Sequence, residues 1–185
     1  DFDYDEAMDV IEKYFGDMQP NKDLQMLDFA AEDEITAPVE REVLGLESEN
    51  VTMAWRLPGA TSDEALMLEV VDAIMNNGKA GIIDLNLLQE QKLLSAYSFP
   101  YAMADYTSYI LQGTPKEGQD LDEVRAMMLA QVDSLRQGKW DESLLAAGIA
   151  NYKLQMQKML EDNESRADLF VQAFVNNQPW ADVVQ

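Results

Sequence analysis

Residues 51–64 read VTMAWRLPGATSDE, and the change of period inside this stretch decides the fold class. Val51, Met53, Trp55 and Leu57 alternate with Thr52, Ala54 and Arg56, the period of two expected of a strand with one buried face. Pro58-Gly59 closes that strand. Thr61-Ser62-Asp63-Glu64 then has the spacing of a capping box, with Thr61 accepting from a first-turn amide and Glu64 reaching back. The helix that it opens carries Leu66, Val70, Ala73 and Ile74 at helical spacing and stops at Asn76-Asn77-Gly78. A strand passing directly into a capped helix predicts a chain in which both elements alternate.

The same alternation extends in both directions. Upstream, 39–46 reads as a second strand, joined to the first by a turn over 45–50 as a hairpin. Before it, 18–38 is irregular, with Gln19-Pro20-Asn21 and the acidic cluster Glu32-Asp33-Glu34 as a solvated loop. Downstream, 82–92 is helical. Residues 96–103 and 106–114 form an antiparallel pair turning near Ala104-Asp105, with Pro100 marking an edge or a bulge. The last third is helical. Leu121, Val124, Met128, Val132 and Leu135 make one face, ending at Gly138. Asp141 caps the next helix, Trp140 staples onto Leu145, and the apolar stripe is Leu145, Ile149, Tyr152, Met156 and Met159. That stripe reads as core, as do most of the eleven methionines. A final helix over 166–176 precedes Pro179-Trp180. The predicted fold is an α+β two-layer sandwich, an antiparallel or mixed sheet with helices packed on one face.

The first twelve residues, DFDYDEAMDVIE, place acids near the ligand positions of an EF-hand loop and end on a glutamate. The sixth residue is Glu6, where that loop needs glycine for its turn, so the stretch reads as a helix N-terminus. Asp3 or Asp5 caps it, and Gly16 stands as the residue that ends it.

Composition narrows the chemistry. The chain has 185 residues, 35 acids against 13 bases and a net charge of −22, with no histidine and no cysteine. Such a charge does not suit nucleic acid or an anionic membrane, and no apolar run approaches the ~20 residues of a membrane span. Without His or Cys there is no disulfide, thiolate nucleophile, His-based triad or ordinary zinc site. Phosphate-loop and serine-nucleophile signatures are missing as well. A carboxylate-only hydrolase stays formally open, although no acid pair on a recognisable scaffold supports it. The chain opens at Asp1 without a methionine, which leads to the expectation of a piece of a longer polypeptide.

Several stretches, in order, resemble the M16 (pitrilysin/insulinase-like) zinc metallopeptidases. Asp1-Phe2-Asp3 followed by EAMDVIEKYFG resembles the family's "GDFD, helix, KYFG" segment. Residues 51–59 resemble its strand ending in proline, 62–77 the helix after it, and 78–97 its region ending in Leu-x-Tyr. Trp140-Asp141-Glu142 with its helix resembles the Glu-Leu-x-x-Ala-Lys helix, and 166–180 the closing helix. The likeness covers nearly the whole chain, though each motif is short. The family's catalytic signature is H-x-x-E-H, an inverted zincin motif, and a chain without histidine cannot carry it. The resemblance therefore implies a non-catalytic C-terminal half-domain with the LuxS/MPP-like metallohydrolase fold, spanning 1–185 as one domain of a larger multi-domain protein. It also implies a chain that is no enzyme by itself and holds no cofactor. Zinc, a zinc-bearing half-domain in the same polypeptide and a peptide substrate enclosed in a chamber are what it implies for the parent. Similar bacterial relatives are envelope proteins, which points to the periplasm or cell envelope of a Gram-negative bacterium.

Family members hold the substrate backbone with an arginine and a tyrosine in a pattern like R-E-K-x-G-L-A-Y. The matching stretch is QEQKLLSAY, residues 89–97. Gln89 stands for the arginine, the spacing is one residue longer, and the glycine is lost; Tyr97 matches. The resemblance thus names Gln89 and Tyr97 as substrate-binding candidates, with catalytic and metal residues none. The other reading of Tyr97 is a strand residue packed under a helix. The competing function is a free-standing acidic interaction module that binds basic partners.

Overall fold

The structure, a computed structural model, describes residues 2–25, 27 and 29–184. It falls into two units, Asp1–Val39 and Glu40–Gln185.

The first unit carries helix α1, Tyr4–Phe15, followed by turns without further regular structure. Asp3 caps it: its Oδ1 accepts from the amides of Asp5 at 2.9 Å and Glu6 at 3.0 Å. Asp5 and Glu6 lie in the first turn, at the positive end of the helix dipole. The opening stretch is a capped helix, as its sequence says, while Asp1 itself lies outside the described residues. Gly16 does not take the left-handed conformation expected of it. It continues with φ −60° and donates to Glu12 O.

The second unit contains strand β1, Val51–Pro58, helix α2, Asp63–Met75, a π-helical turn at Asp84–Gln89, and strands β2, Ser95–Ala102, and β3, Tyr106–Thr114. Helices α3, Leu121–Arg136, α4, Ser143–Glu161, α5, Asn163–Val175, and α6, Trp180–Val184, follow. No described helix is long and apolar enough to cross a membrane. The sheet is three-stranded and antiparallel in the order β1-β3-β2, with Val51 opposite Gly113 and Ala96 opposite the same glycine. Side chains alternate across it. On β3, Thr107, Tyr109, Leu111 and Gly113 are buried and their neighbours are half-exposed. The buried face meets α2 and α3, so the helices lie on one face. Leu68, Met75, Ile83, Leu87, Leu111, Val124 and Met128 are the centre of this core. Each such side chain contributes about 1.5–3 kcal/mol of burial. The expected α+β class holds, with an antiparallel rather than a mixed sheet.

Five expectations need correction. Residues 39–46 form no strand, and β1 pairs with β3 instead. Arg41 interrupts the alternation of Val39 and Val43, so neither face of that segment is consistently apolar. Glu40 pairs with Arg125 at 2.9 Å, beside Val124, whose side chain lies against Gly113 and hence at the Val51 end of β1. A hairpin turning at 45–50 would carry Glu40 to the other end. The cap of α2 is Ser62, one residue after Thr61: Ser62 Oγ accepts from Ala65 N at 3.1 Å. The helix over 82–92 is a shorter π-helical turn. Finally, α4 turns Leu144, Gly148, Tyr152, Met156 and Leu160 inward, while Leu145, Ile149 and Met159 stay exposed. Trp140 packs to the core with Leu144 rather than stapling Leu145.

The closing helix starts at Asn163 rather than at 166, and a short α6 follows it, while other features agree with the sequence. Pro100 lies on β2, an edge strand of the sheet, the kind of strand on which a residue without an N–H is tolerated. Asp141 Oδ1 accepts from Ser143 N at 2.9 Å at the start of α4, and Gly138 sits at φ +67° after α3.

Candidate functional site

The sheet has a second face, opposite the helices. There Tyr97, Phe99 and Tyr101 of β2 stand across from Gln112, Ile110 and Ser108 of β3. Their exposures are 38%, 37% and 56%, which leaves rings in solvent. Tyr97 and Phe99 stack with centroids 6.1 Å apart and planes at 24°. On the other side of β3, Arg56 of β1 lies over the Tyr106 ring at 4.9 Å from its centroid, a cation–π contact. The three strands contain no aspartate or glutamate at all, and Arg56 is their one charged residue. In a chain with 35 acids, the sheet is therefore a charge-poor aromatic surface bounded by acidic elements. Aromatic rings with hydroxyl edges suit contact with polypeptide, giving area at little entropic cost and a donor at the rim. This concentration is visible in the sequence as three strands without an acid, a signal that strand-by-strand pattern reading passes over.

Tyr97 lies on this open face, so it is not packed under a helix. Gln89 is also exposed, at the end of the π-helical turn, and its Nε2 donates to Lys79 O at 2.8 Å. The glutamine amide is thus engaged with its own chain, closing the loop that follows α2. That loop is held from inside by Asp84. Its buried Oδ2 accepts from the amides of Asn77 at 2.9 Å, Lys79 at 3.1 Å and Gly81 at 3.0 Å. Gly81 has no room for a side chain, since a Cβ there would come within 2.7 Å of Met75 O. Among the described residues, no hydrogen bond or ring contact joins Gln89 to Tyr97.

On the helix side of the sheet lies a polar seam that sequence reading missed. Asp72 of α2 accepts at Oδ1 from Ser98 Oγ at 2.5 Å and from Tyr109 OH at 3.0 Å. Ser98 is on β2 and Tyr109 on β3, so one carboxylate spans helix and both strands. Burial pushes the Asp72 carboxyl up to about 6, while its two hydroxyl partners pull it down and Glu69 and Asp84 add like charge. Burial likewise raises Glu69 and the Tyr109 phenol. Among the described residues, no three acids converge as metal ligands.

Known proteins give this geometry a context. The family described as Peptidase M16 inactive domain matches residues 1–152. No curated protein matches the chain. Among solved structures, a protease from Helicobacter pylori superposes with a TM-score of 0.78 at 17% identity, over 100% of this chain and 49% of that one. The chain thus spans about half the length of that relative. A Bordetella parapertussis structure, "the inactive peptidase domain of a putative zinc protease", gives 0.64 at 16% identity over 72% of this chain and 73% of its own. A Bordetella pertussis Tohama I structure, described as a "putative zinc protease", gives 0.63 at 16%, over 72% and 74%. At these identities the likeness establishes the fold alone.

Proposed function

The chain belongs to the Peptidase M16 inactive domain family, and from that premise we propose that it is a non-catalytic domain of a zinc peptidase, walling a peptide-enclosing chamber and packing against the half that binds zinc. In this reading 1–185 is one domain of a larger multi-domain polypeptide. Its partners are the zinc-bearing half and, in the assembled enzyme, a peptide substrate. Zinc belongs to the other half, because this chain offers it neither imidazole nor thiolate. No chemical step passes through this chain's own side chains; it contributes shape, exclusion of water and a surface.

The observation that carries the reading is the open sheet face. A surface with Tyr97, Phe99, Tyr101 and Tyr106 and no carboxylate is the part of a −22 chain suited to contact another polypeptide. A module that captured basic partners would present its acids there instead. In support, β1 takes no strand along its outer edge among the described residues, and its register runs from Val51 to Pro58 without a bulge. An edge of this length is ordinarily covered by a neighbouring element.

The test is Phe99→Asp in the full-length protease, with kcat/KM on one peptide and a melting curve. A carboxylate set into an apolar contact without a partner costs several kcal/mol. The expected result is a loss of kcat/KM of about tenfold or more. Activity within twofold of the unaltered enzyme would show that this face neither packs nor lines the chamber.

A further inference from the structure

Among the described residues, no counter-charge faces the carboxylate at the seam between α2 and the sheet. The groups that act on Asp72 are Glu69 one turn earlier on α2, the hydroxyls of Ser98 and Tyr109 on the two strands, and Asp84 in the π-helical turn. Tyr152 of α4 in turn faces Glu69. No lysine or arginine is among them, and the ion pairs seen among the described residues lie on α3 and Glu40. Ser98 and Tyr109 are buried and Asp72 is half-buried, so the two hydroxyls replace part of the water that a free carboxylate would hold. Ionised, Asp72 sits in a half-dry cleft beside a second acid; neutral, it keeps both hydrogen-bond partners without the repulsion or the desolvation cost.

We propose that Asp72 is a proton-operated latch: neutral, it holds helix α2 tightly on β2 and β3, and ionised beside Glu69 it lets that helix open more readily. The sign follows from the raised carboxyl. Its stabilising contribution is complete below the ordinary aspartate value and is lost as pH rises through about 6. The seam therefore tightens on acidification from neutral pH to 5. The latch also reaches the loop after α2. Asn77 follows directly on the end of that helix and donates its amide to Asp84.

Hydrogen exchange in the full-length protein reads the latch locally. Protection of α2 amides, corrected for intrinsic chemical exchange, is measured at pH 5 and pH 7.5, with α5 as the internal reference. A carboxyl near 6 against an ordinary one gives α2 protection greater at pH 5 by up to about tenfold, with α5 little changed. Asp72→Asn abolishes the contrast. Ser98→Ala, which keeps the carboxylate and removes one donor, widens it. Protection of α2 that is flat with pH overturns the proposal, and so does an Asp72→Asn protein that keeps the original contrast. If Asp72→Asn does not fold, Ser98→Ala decides, and an unchanged or narrowed contrast counts against the latch.

Discussion

Gln89 and Tyr97 stand eight residues apart in one stretch, yet their side chains have different duties. Gln89 spends its amide on Lys79 O, within its own loop, and Tyr97 lies against Phe99 on the open face. In a chamber-wall domain neither polarises a substrate carbonyl, so Gln89→Arg is expected to leave kcat/KM within about twofold, since arginine can still donate to Lys79 O. Tyr97→Phe removes one exposed hydroxyl and is expected to be equally mild. The measurement is kcat/KM on a single peptide in the full-length enzyme, with melting curves alongside. A Tyr97→Phe loss of about fivefold or more, roughly the value of one hydrogen bond, at unchanged Tm makes Tyr97 a substrate donor. The likeness of residues 89–97 to a family pattern brought Tyr97 to attention, because that pattern is visible in one line of sequence. Asp72 was not legible in that way. Its partners lie 26 and 37 residues away along the chain, and only the pairing of β2 with β3 brings both hydroxyls to one oxygen.

Elements were legible where one physical signal acted alone. The period of two in 51–57 produced β1, and Gly138 ends α3 as its composition suggests, whereas the Asp120 and Asp162 caps of α3 and α5 went unread. Legibility failed where tertiary contacts overrode a local pattern. Residues 39–46 have strand-like composition but no apolar face to bury. The inward stripe of α4 was misjudged by about one residue because Gly148 has no hydrophobic signature, although it is the buried residue of that helix. Its function is space. A Cβ at Gly148 would lie 3.0 Å from the Ala73 Cβ, so the two small residues set how closely α4 approaches α2. Gly148→Leu is therefore expected to force the helices apart and to cost about 1–3 kcal/mol, beyond any gain in helix propensity. Chemical denaturation of the full-length protein checks it. A Gly148→Leu variant as stable as the original would mean that the helices do not pack through this pair. The same substitution at Phe174, exposed on α5, serves as the reference for a helix position without a close neighbour.

At the scale of the whole molecule, the decisive property is where charge is absent. The acids lie on helices and loops, and the sheet carries only Arg56, so repulsion falls outside the face that the proposed partner would cover. The charge also bears on metal. An acidic chain attracts cations diffusely, but a tight zinc site needs three or four converging ligands, usually imidazole or thiolate. This sequence has neither, and its described acids do not converge. Asp84, which is buried and well placed for a ligand, already accepts three backbone amides on one oxygen. Asp72, half-buried at the seam, takes two hydroxyls. Zinc titrated calorimetrically into the chain is therefore expected to give only weak, salt-screened binding without a defined stoichiometry. The same preparation is expected to show no cleavage of a peptide that the full-length enzyme cuts. Saturable one-to-one binding with Kd below about 1 μM, some 8 kcal/mol of affinity, would require a site that neither the sequence nor the fold provides. It would also move metal chemistry into the half proposed to lack it.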